Sequence, residues 1–218
     1  MGLATPDTQH LRDTKYSTVY EPAEDTYLLL DALENDQSTL HSNPPTICVE
    51  IGSGSGCVSA FLGQLLHPTR ALILSIDINA AATEATKETT LKTNCSAAFE
   101  QCRTRFVQSM SDRLAGGVDV LLFNPPYVVT PSEEIDVSAE ASAWAGGVDG
   151  REVLNFLLPM VPRLLSPGGR FYLVVIEQNK PLDIIRQLAE HGVVGERVLE
   201  RRAGIEHLSI LRFIKTTI

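Results

Sequence analysis

The sequence predicts an α/β protein with a Rossmann-like fold: a mostly parallel, seven-stranded sheet with helices on both faces and a carboxyl-terminal antiparallel hairpin. Three observations predict it. Short, fully apolar strand candidates alternate with helical segments, which is typical of a parallel sheet covered on both faces. A glycine cluster directly follows the first strand candidate. The last two strand candidates follow each other with no helix between them.

Each element is predicted from its local pattern. The first helix, at residues 23–34, has an apolar side made mostly of leucines. Further helices are predicted at 58–66, 80–92, 153–165 and 181–191. The seven strands are predicted at 47–51, 71–76, 105–110, 118–123, 170–176, 197–201 and 208–214. Residues 1–18 are predicted to be a polar, mobile extension, and residues 19–218 a single domain.

Composition and charge exclude several classes of protein. The chain has 44% hydrophobic residues, an ordinary globular value, and a net charge of −9. Such an acidic protein is poorly suited to binding nucleic acid without a partner, because phosphate contacts need clustered Lys and Arg. The four cysteines and five histidines show no metal-ligand spacing, so no metal site is predicted. Reduced cysteines and a polar amino terminus predict a cytoplasmic location, with the nucleus as a second possibility.

A glycine-rich loop follows the first strand and predicts a cofactor site. Its sequence is Glu50-Ile51-Gly52-Ser53-Gly54-Ser55-Gly56. A dinucleotide fingerprint would need glycine at position 57, which is Cys57, so S-adenosylmethionine fits better than a pyrophosphate. Asp77 ends the second strand, where a carboxylate can accept both ribose hydroxyls. The alternative is a tight strand-to-helix turn without a ligand, but the glycines and Asp77 together favour the cofactor.

The fourth strand runs directly into Asn124-Pro125-Pro126-Tyr127, which predicts the reacting centre. Two prolines stiffen the chain and keep Asn124 out of the helical conformation. The Asn124 side-chain oxygen and the Pro125 carbonyl are two acceptors that can bind both hydrogens of a planar amide or aromatic amine nitrogen. Tyr127 can pack its ring on the flat substrate group. The alternative is a rigid turn that ends the strand.

Together these residues resemble class I S-adenosylmethionine-dependent methyltransferases of the HemK/PrmC type. The eukaryotic branch of that family methylates the glutamine of the Gly-Gly-Gln tripeptide in class 1 translation termination factors. The resemblance covers nearly the whole chain from residue 19 onward. It is carried by Tyr20-Glu21-Pro22-Ala23-Glu24-Asp25-Thr26, the glycine loop, Asp77-Ile78-Asn79, Phe123-Asn124-Pro125-Pro126-Tyr127-Val128, Trp144-Ala145-Gly146-Gly147 and Gly150-Arg151-Glu152.

The resemblance implies a role for each matching position. Thr26 should reach the methionine end of the cofactor, and the residues expected to line the rest of it are Glu50, Gly52, Gly54, Asp77, Ile78 and Asn124. The residues expected to hold the substrate are Tyr20, Glu21, Pro22, Asn124, Pro125, Pro126 and Tyr127. The segment from Tyr20 to Thr26 also fits a helix start, with Pro22 near its first position, and both interpretations can hold together.

The chain departs from the family after the third strand. The family has an acid there beside the adenine amine, whereas this sequence has Ser109 followed by Met110. A serine hydroxyl can still accept a hydrogen bond, and Asp112 is close in sequence. Ser109 and Met110 are therefore predicted to contact the adenine.

The resemblance also implies a partner. Eukaryotic members work as heterodimers with a small zinc-binding activator protein that adds a strand beside strand three. In this sequence that edge is predicted to run from Arg105 to Met110, and an uncovered apolar edge strand is an association hazard. On the residues alone, an edge kept charged by Arg103 and Arg105 is equally possible.

Other functions remain open at this point. A DNA or RNA adenine-N6 methyltransferase would use the same acceptor pair but needs a basic track, which the charge disfavours. A protein (histone) lysine methyltransferase would need to deprotonate an ammonium, and Glu133, Glu134 and Asp136 could help. A non-catalytic scaffold would not need both acceptors. Trp144 is either a substrate anchor in segment 128–150 or a core residue.

Overall fold

The computed structural model describes residues 2–135, 144–204 and 206–217. One sheet contains all seven named strands. They are β1 (Ile47–Ile51), β2 (Leu72–Asp77), β3 (Ala98–Arg103), β4 (Val118–Phe123), β5 (Leu165–Ile176), β6 (Val193–Ala203) and β7 (Glu206–Lys215). Their order across the sheet is β3-β2-β1-β4-β5-β7-β6.

The helices connect and cover the strands. They are α1 (Glu24–Asn35), α2 (Gln37–Ser42), α3 (Cys57–Leu66), α4 (Ala80–Leu91), α5 (Ser111–Leu114), α6 (Glu152–Leu157), α7 (Val161–Leu164) and α8 (Pro181–Ala189). Strands β1 to β5 pair in parallel, whereas β7 pairs antiparallel with both β5 and β6. The predicted α/β class and the carboxyl-terminal hairpin are confirmed.

The sheet has a buried core on each face. On one face, an apolar cluster that includes Leu33, Leu62 and Val120 packs α1 and α3 against the sheet. On the other face, a cluster that includes Leu157 and Leu121 packs α6, α7 and α8 against the sheet. Side chains of one strand alternate between the two clusters, as Val120 and Leu121 show. This double cover explains why the central strands are apolar throughout.

The third strand was predicted at the wrong place. It consists of Ala98–Arg103, not of the stretch from Arg105 to Met110, and it is the edge strand beside β2. Its residues are half-buried or exposed, so they lack the apolar run that marks the central strands. Phe106 and Val107 are buried although they lie outside a strand, and a short 3-10 turn at Gln108–Met110 follows them. The edge position of strand three is confirmed.

The helix predicted at residues 153–165 is instead broken into pieces. α6 ends at Leu157, a 3-10 turn spans Leu158–Met160, and α7 is a single further turn. Pro159 and Pro162 lie in the second and third pieces. Each proline removes one backbone donor and clashes with the preceding turn, so a continuous α-helix is unfavourable here.

The amino-terminal segment packs on the domain, in contrast to the expected mobile extension. Two 3-10 turns, at Gln9–Arg12 and Thr14–Tyr16, bury Leu11 and Tyr16 in a small cluster with alanines of α4. The Tyr16 hydroxyl donates to Glu88 of that helix at 3.0 Å. The domain boundary after residue 18 stays a prediction. No helix in the described part of the chain has the length and apolar character needed to cross a membrane.

Candidate active site

A cavity of about 420 Å³ opens at the carboxyl ends of the central strands. Parallel strands place the loops that follow β1, β2 and β4 at this one edge, where ligands of open α/β sheets bind. The cavity thus brings together the predicted glycine loop, the end of β2 and the Asn-Pro-Pro-Tyr segment. Its lining includes Tyr20, Asp25, Thr26, Glu50, Ile51, Gly52, Ser53, Gly54, Asp77, Ile78, Arg105, Phe106, Asn124, Pro125, Pro126, Tyr127, Trp144 and Glu206.

The glycine loop has a backbone conformation that requires glycine. Gly52, Gly54 and Gly56 have φ values of 67°, 51° and 77°, in the left-handed region. At Gly56 an added Cβ would also come within 2.6 Å of the Thr86 Cα. The turn, which connects β1 to α3, therefore packs tightly against α4, and Gly52 and Gly54 line the cavity.

Asp77 ties this loop to the end of β2. Its carboxylate accepts from the Gly54 N–H at 2.9 Å and from the Asn79 N–H at 2.8 Å. Burial raises the pKa of Asp77 above its usual value, while the backbone N–H groups, first that of Asn79, oppose the rise. The carboxylate thus holds the glycine loop in place and faces the cavity where ribose hydroxyls are expected.

Glu50 is buried at the end of β1. Its carboxylate accepts a short hydrogen bond from the Ser59 hydroxyl, and Ser59 in turn lies 2.7 Å from the Ser75 hydroxyl. Burial raises the pKa of Glu50 to about 8, and the hydrogen bond with Ser59 lowers it in part. Glu50 therefore holds its proton more tightly in the folded chain than in the unfolded chain.

We expect Glu50→Gln to abolish one component of the pH dependence of stability. An unfolded glutamate ionises near pH 4.5, but folded Glu50 ionises near pH 8, so between these values the folded state binds the extra proton. The stability of the wild-type chain should consequently fall as pH rises, by at most about 1.4 kcal/mol per pH unit. In thermal melts from pH 5 to 8, the melting temperature of the wild type should fall relative to that of Glu50→Gln as pH rises. If the melting temperatures of the two proteins changed with pH in the same way, the raised pKa of buried Glu50 would be contradicted.

Asn124 lines the cavity, and one of its side-chain atoms is buried without a hydrogen-bond partner. Its Nδ2 donates to Asp25 Oδ2 at 3.0 Å, whereas its Oδ1 is buried with no hydrogen-bond partner among the described residues. A buried acceptor without a partner costs roughly 1–3 kcal/mol, which a substrate N–H can return. An N–H donor that reaches this atom would therefore make a hydrogen bond that the chain itself does not supply.

Asp25 is the centre of the hydrogen bonds behind Asn124. This carboxylate, in the first turn of α1, also accepts from the Tyr127 hydroxyl at 3.2 Å and from the Tyr20 hydroxyl at 3.1 Å. The Thr26 N–H donates to it at 2.7 Å. Burial, reinforced by the charge of Asp25, raises the pKa values of Tyr20 and Tyr127 far above the usual range, so both phenols stay protonated donors.

The main chain of Tyr127 is held from the opposite side by Asn179. The Asn179 Nδ2 donates to the carbonyl of Tyr127 at 3.0 Å and to that of Asp149 at 2.9 Å. Gly150 lies against the same carbonyl, with a φ of 63°. A Cβ added at Gly150 would come within 2.0 Å of the Tyr127 oxygen. The position of the Asn-Pro-Pro-Tyr segment therefore depends on this glycine.

We expect Gly150→Ala to displace the segment that ends in Tyr127. The new methyl group would overlap a backbone carbonyl and strain a left-handed residue, which together cost on the order of 2 kcal/mol or more. The melting temperature should fall by several degrees. The activity should fall by more than the fraction of protein that is unfolded at the assay temperature. Gly168→Ala is the matched control, because it has a similar φ of 76° but nothing within 4 Å of an added Cβ. Equal melts and activities for the two variants would contradict this account.

The cavity does not include every predicted site residue. Ser109 and Met110 do not line it, and Arg105 and Phe106 occupy the corresponding place. The reason is the displaced third strand: β3 ends at Arg103, so its carboxyl edge lies several residues earlier than predicted. The expected adenine contacts of Ser109 and Met110 therefore stay a prediction.

The predicted substrate residues divide between two places. Tyr20 and Asn124 to Tyr127 line the cavity, whereas Glu21 and Pro22 line a neighbouring depression with residues 5–12. Trp144 is 41% exposed and lines the cavity, so it is not a core residue.

Sequence reasoning missed Asp25, Asn179 and Glu206 as contributors to the site. The first of these lies inside the quoted motif, but the other two had no local signal.

The residues present fit the cofactor that the sequence predicts. A left-handed glycine turn gives close backbone approach, Asp77 offers a carboxylate at the end of β2, and Phe106 adds an apolar wall. Asn124, whose side-chain oxygen has no partner among the described residues, lines the same cavity. A cofactor and a planar amide could therefore share it, with the loop on one side and the Asn-Pro-Pro-Tyr segment on the other.

The strand order and the place of the cavity are those of class I methyltransferases, and the structural comparisons agree. The methyltransferase small domain family matches residues 23–198. The chain belongs to this family. It is 47% identical to human methyltransferase HEMK2 over 99% of this chain and 98% of that protein.

A further relative and a solved structure also match more than nine tenths of the chain. The chain is 41% identical to the eRF1 methyltransferase catalytic subunit mtq2 of Schizosaccharomyces pombe, over 98% of this chain and 96% of that one. Its structure resembles that of the E. cuniculi Mtq2–Trm112 complex, which methylates the eRF1 translation termination factor. The TM-score is 0.68 and the identity 28%, and the match covers 91% of this chain and 99% of that chain.

Proposed function

We propose that this chain transfers a methyl group from S-adenosylmethionine to the side-chain amide nitrogen of the glutamine in the Gly-Gly-Gln tripeptide of a class 1 release factor. One observation carries the proposal: Asn124, whose buried amide oxygen has no hydrogen-bond partner among the described residues, lines the same cavity as the glycine loop and Asp77. The eRF1 methyltransferase relatives support the choice of substrate.

In this proposal the cofactor lies along the glycine loop. Asp77 would accept the ribose hydroxyls, the backbone of Gly52 and Gly54 would approach the cofactor closely, and Ile78 and Phe106 would flank the adenine. Thr26 would lie at the methionine end. When bound, S-adenosylmethionine supplies an activated methyl group on sulfur, whose leaving group is a neutral thioether.

The chain's own residues would orient and activate the acceptor. Asn124 Oδ1 and the Pro125 carbonyl accept the two N–H hydrogens of the glutamine amide, which fixes the plane of a weak nucleophile. Both are acceptors only, so they stabilise the positive charge that builds on nitrogen as the new N–C bond forms and the C–S bond breaks. The methylated nitrogen then loses one proton to solvent, which leaves a neutral N-methyl amide. Pro125 and Pro126 keep this geometry rigid, and Tyr127 packs against the amide.

We further propose that the chain is the catalytic subunit of a heterodimer with a small zinc-binding activator. The E. cuniculi relative is a complex with Trm112. Strand β3 lies at the sheet edge with exposed and half-buried residues, so a partner strand can pair there. The proposed contact therefore centres on Ala98–Arg103, not on the stretch from Arg105 to Met110. Because translation termination takes place in the cytoplasm, we place the complex there, with the nucleus as a second site.

The charge distribution favours a protein substrate over a nucleic acid. Arg197 pairs with Glu177 at 2.7 Å and with Glu200, and Arg201 pairs with Glu24 and Asp31. These arginines of the hairpin are therefore neutralised and do not form a free basic track. An adenine acceptor would need such a track beside the cavity.

A lysine acceptor is the second candidate, and one observation favours it. Two carboxylates, Asp25 and Glu206, line the cavity near Asn124, where they could attract an ammonium group. Of the acids first suggested to assist, Glu133 is exposed, whereas Asp136 and the side chain of Glu134 lie outside the described residues.

The test is methyl transfer with labelled S-adenosylmethionine, using the chain together with its activator. The substrates are a class 1 release factor, the same factor with the tripeptide glutamine changed to lysine or to alanine, and an adenine-containing oligonucleotide. We expect label only in the factor that retains glutamine. Label only in the lysine variant would instead support a lysine methyltransferase. Label only in the oligonucleotide would support an adenine methyltransferase.

A further inference from the structure

We infer that Asp25 is the residue that sets the orientation of the Asn124 amide, by binding its nitrogen end and so leaving its oxygen as the free acceptor. This inference rests on the proposed function and assigns a positioning role to a side chain behind the reacting centre. An asparagine amide has nearly the same shape in both orientations, so only its hydrogen-bond partners can decide which end faces a cavity.

The contacts around Asp25 allow one orientation of Asn124. An ionised carboxylate only accepts hydrogen bonds, so it can bind Asn124 Nδ2 but would repel Oδ1. The groups that hydrogen-bond to the Asp25 carboxylate among the described residues are all donors: the Thr26 N–H and hydroxyl, the Tyr20 and Tyr127 hydroxyls, and Asn124 Nδ2. Asp25 is only 3% exposed, so water does not compete for these bonds.

The charge of Asp25 has a second effect on Asn124. A hydrogen bond from Nδ2 to a carboxylate is charge-assisted, and it draws electron density through the amide toward Oδ1. Oδ1 thus becomes a stronger acceptor for a substrate N–H, and more so as positive charge builds on the substrate nitrogen. The side chain acts through Asn124 and does not itself need to touch the reacting atoms.

Asp25→Asn is the matching test, because it keeps size and shape but removes the charge and adds a donor. An amide at position 25 can donate to Asn124 Oδ1, which allows Asn124 to turn its NH₂ group toward the cavity. We expect kcat for glutamine methylation to fall about 10- to 100-fold, the scale for removing a partner that orients a functional group. KM and S-adenosylmethionine affinity should change less, while the melting temperature should fall by several degrees, because the new NH₂ group faces donors that Asp25 accepts from.

A double-mutant cycle distinguishes positioning from a general structural role. If Asp25 acts through Asn124, adding Asp25→Asn to Asn124→Ala should reduce the residual activity by less than about 3-fold. Asp31→Asn is the control, because Asp31 lies on the same helix but pairs with Arg201 outside the cavity. Should Asp25→Asn unfold the chain, Asp25→Ser removes the same charge with a smaller side chain and carries the same cycle.

The outcomes separate this inference from the proposed function. Strong non-additivity with normal wild-type turnover supports the role of Asp25. Fully additive losses, or an Asp25→Asn variant with wild-type kcat, would overturn it while leaving the proposed function intact. If the wild-type complex itself fails to methylate glutamine, the proposed function falls, and the inference falls with it.

Discussion

Replacing Asn124 with alanine is expected to lower kcat for methyl transfer by about 100- to 1,000-fold, the scale for removing one preorganised group that stabilises transition-state charge. The variant loses a side-chain acceptor that has no hydrogen-bond partner among the described residues and is proposed to bind the substrate amide. Because the glycine loop and Asp77 do not depend on Asn124, S-adenosylmethionine should bind with unchanged affinity. Steady-state kinetics and calorimetry on the heterodimer measure the two effects separately.

The matched control is Asn155→Ala, since Asn155 is exposed on α6 and does not line the cavity. It should retain wild-type turnover. Wild-type activity in Asn124→Ala would show that Asn124 does not act as the substrate acceptor. A large loss of cofactor affinity would instead assign Asn124 to cofactor binding.

Asp77→Ala is expected to raise the Kd for S-adenosylmethionine about 10-fold or more, the scale of a lost charged hydrogen bond. The change removes the carboxylate expected at the ribose and also the acceptor of the Gly54 N–H, so the glycine loop loses a tether. Calorimetric titration of the heterodimer with S-adenosylhomocysteine or S-adenosylmethionine gives the Kd directly.

Asp183→Ala serves as the control for this measurement, because Asp183 pairs with Arg186 on the surface of α8. Its Kd should equal that of wild type. If Asp77→Ala also bound the cofactor with unchanged affinity, the ribose contact would have to be assigned to another residue.

The central strands could be predicted from the sequence because their burial leaves a direct pattern. β1 and β4 are short apolar runs that end in glycine or proline motifs, and both were predicted with their exact bounds. β3 could not be found this way, since an edge strand with half-exposed side chains has no apolar run. The apolar Phe106 and Val107 are buried for a different reason, as part of the loop beneath the cavity.

The site was predictable where local sequence determines geometry and not where distant residues meet. The glycine turn and the Asn-Pro-Pro-Tyr segment have conformations dictated by their own residue types. Asp25 fits a helix start equally well, and its bond to Asn124 joins residues 99 positions apart. Asn179 supports Tyr127 across 52 positions. Such contacts follow only from the strand order of the sheet.

The most direct test is a structure of the heterodimer with S-adenosylhomocysteine and a Gly-Gly-Gln peptide from the release factor. We expect the glutamine amide nitrogen to lie within hydrogen-bond distance of both Asn124 Oδ1 and the Pro125 carbonyl, and to face the cofactor sulfur. A glutamine held elsewhere, or an Asn124 oxygen directed away from the bound amide, would contradict it.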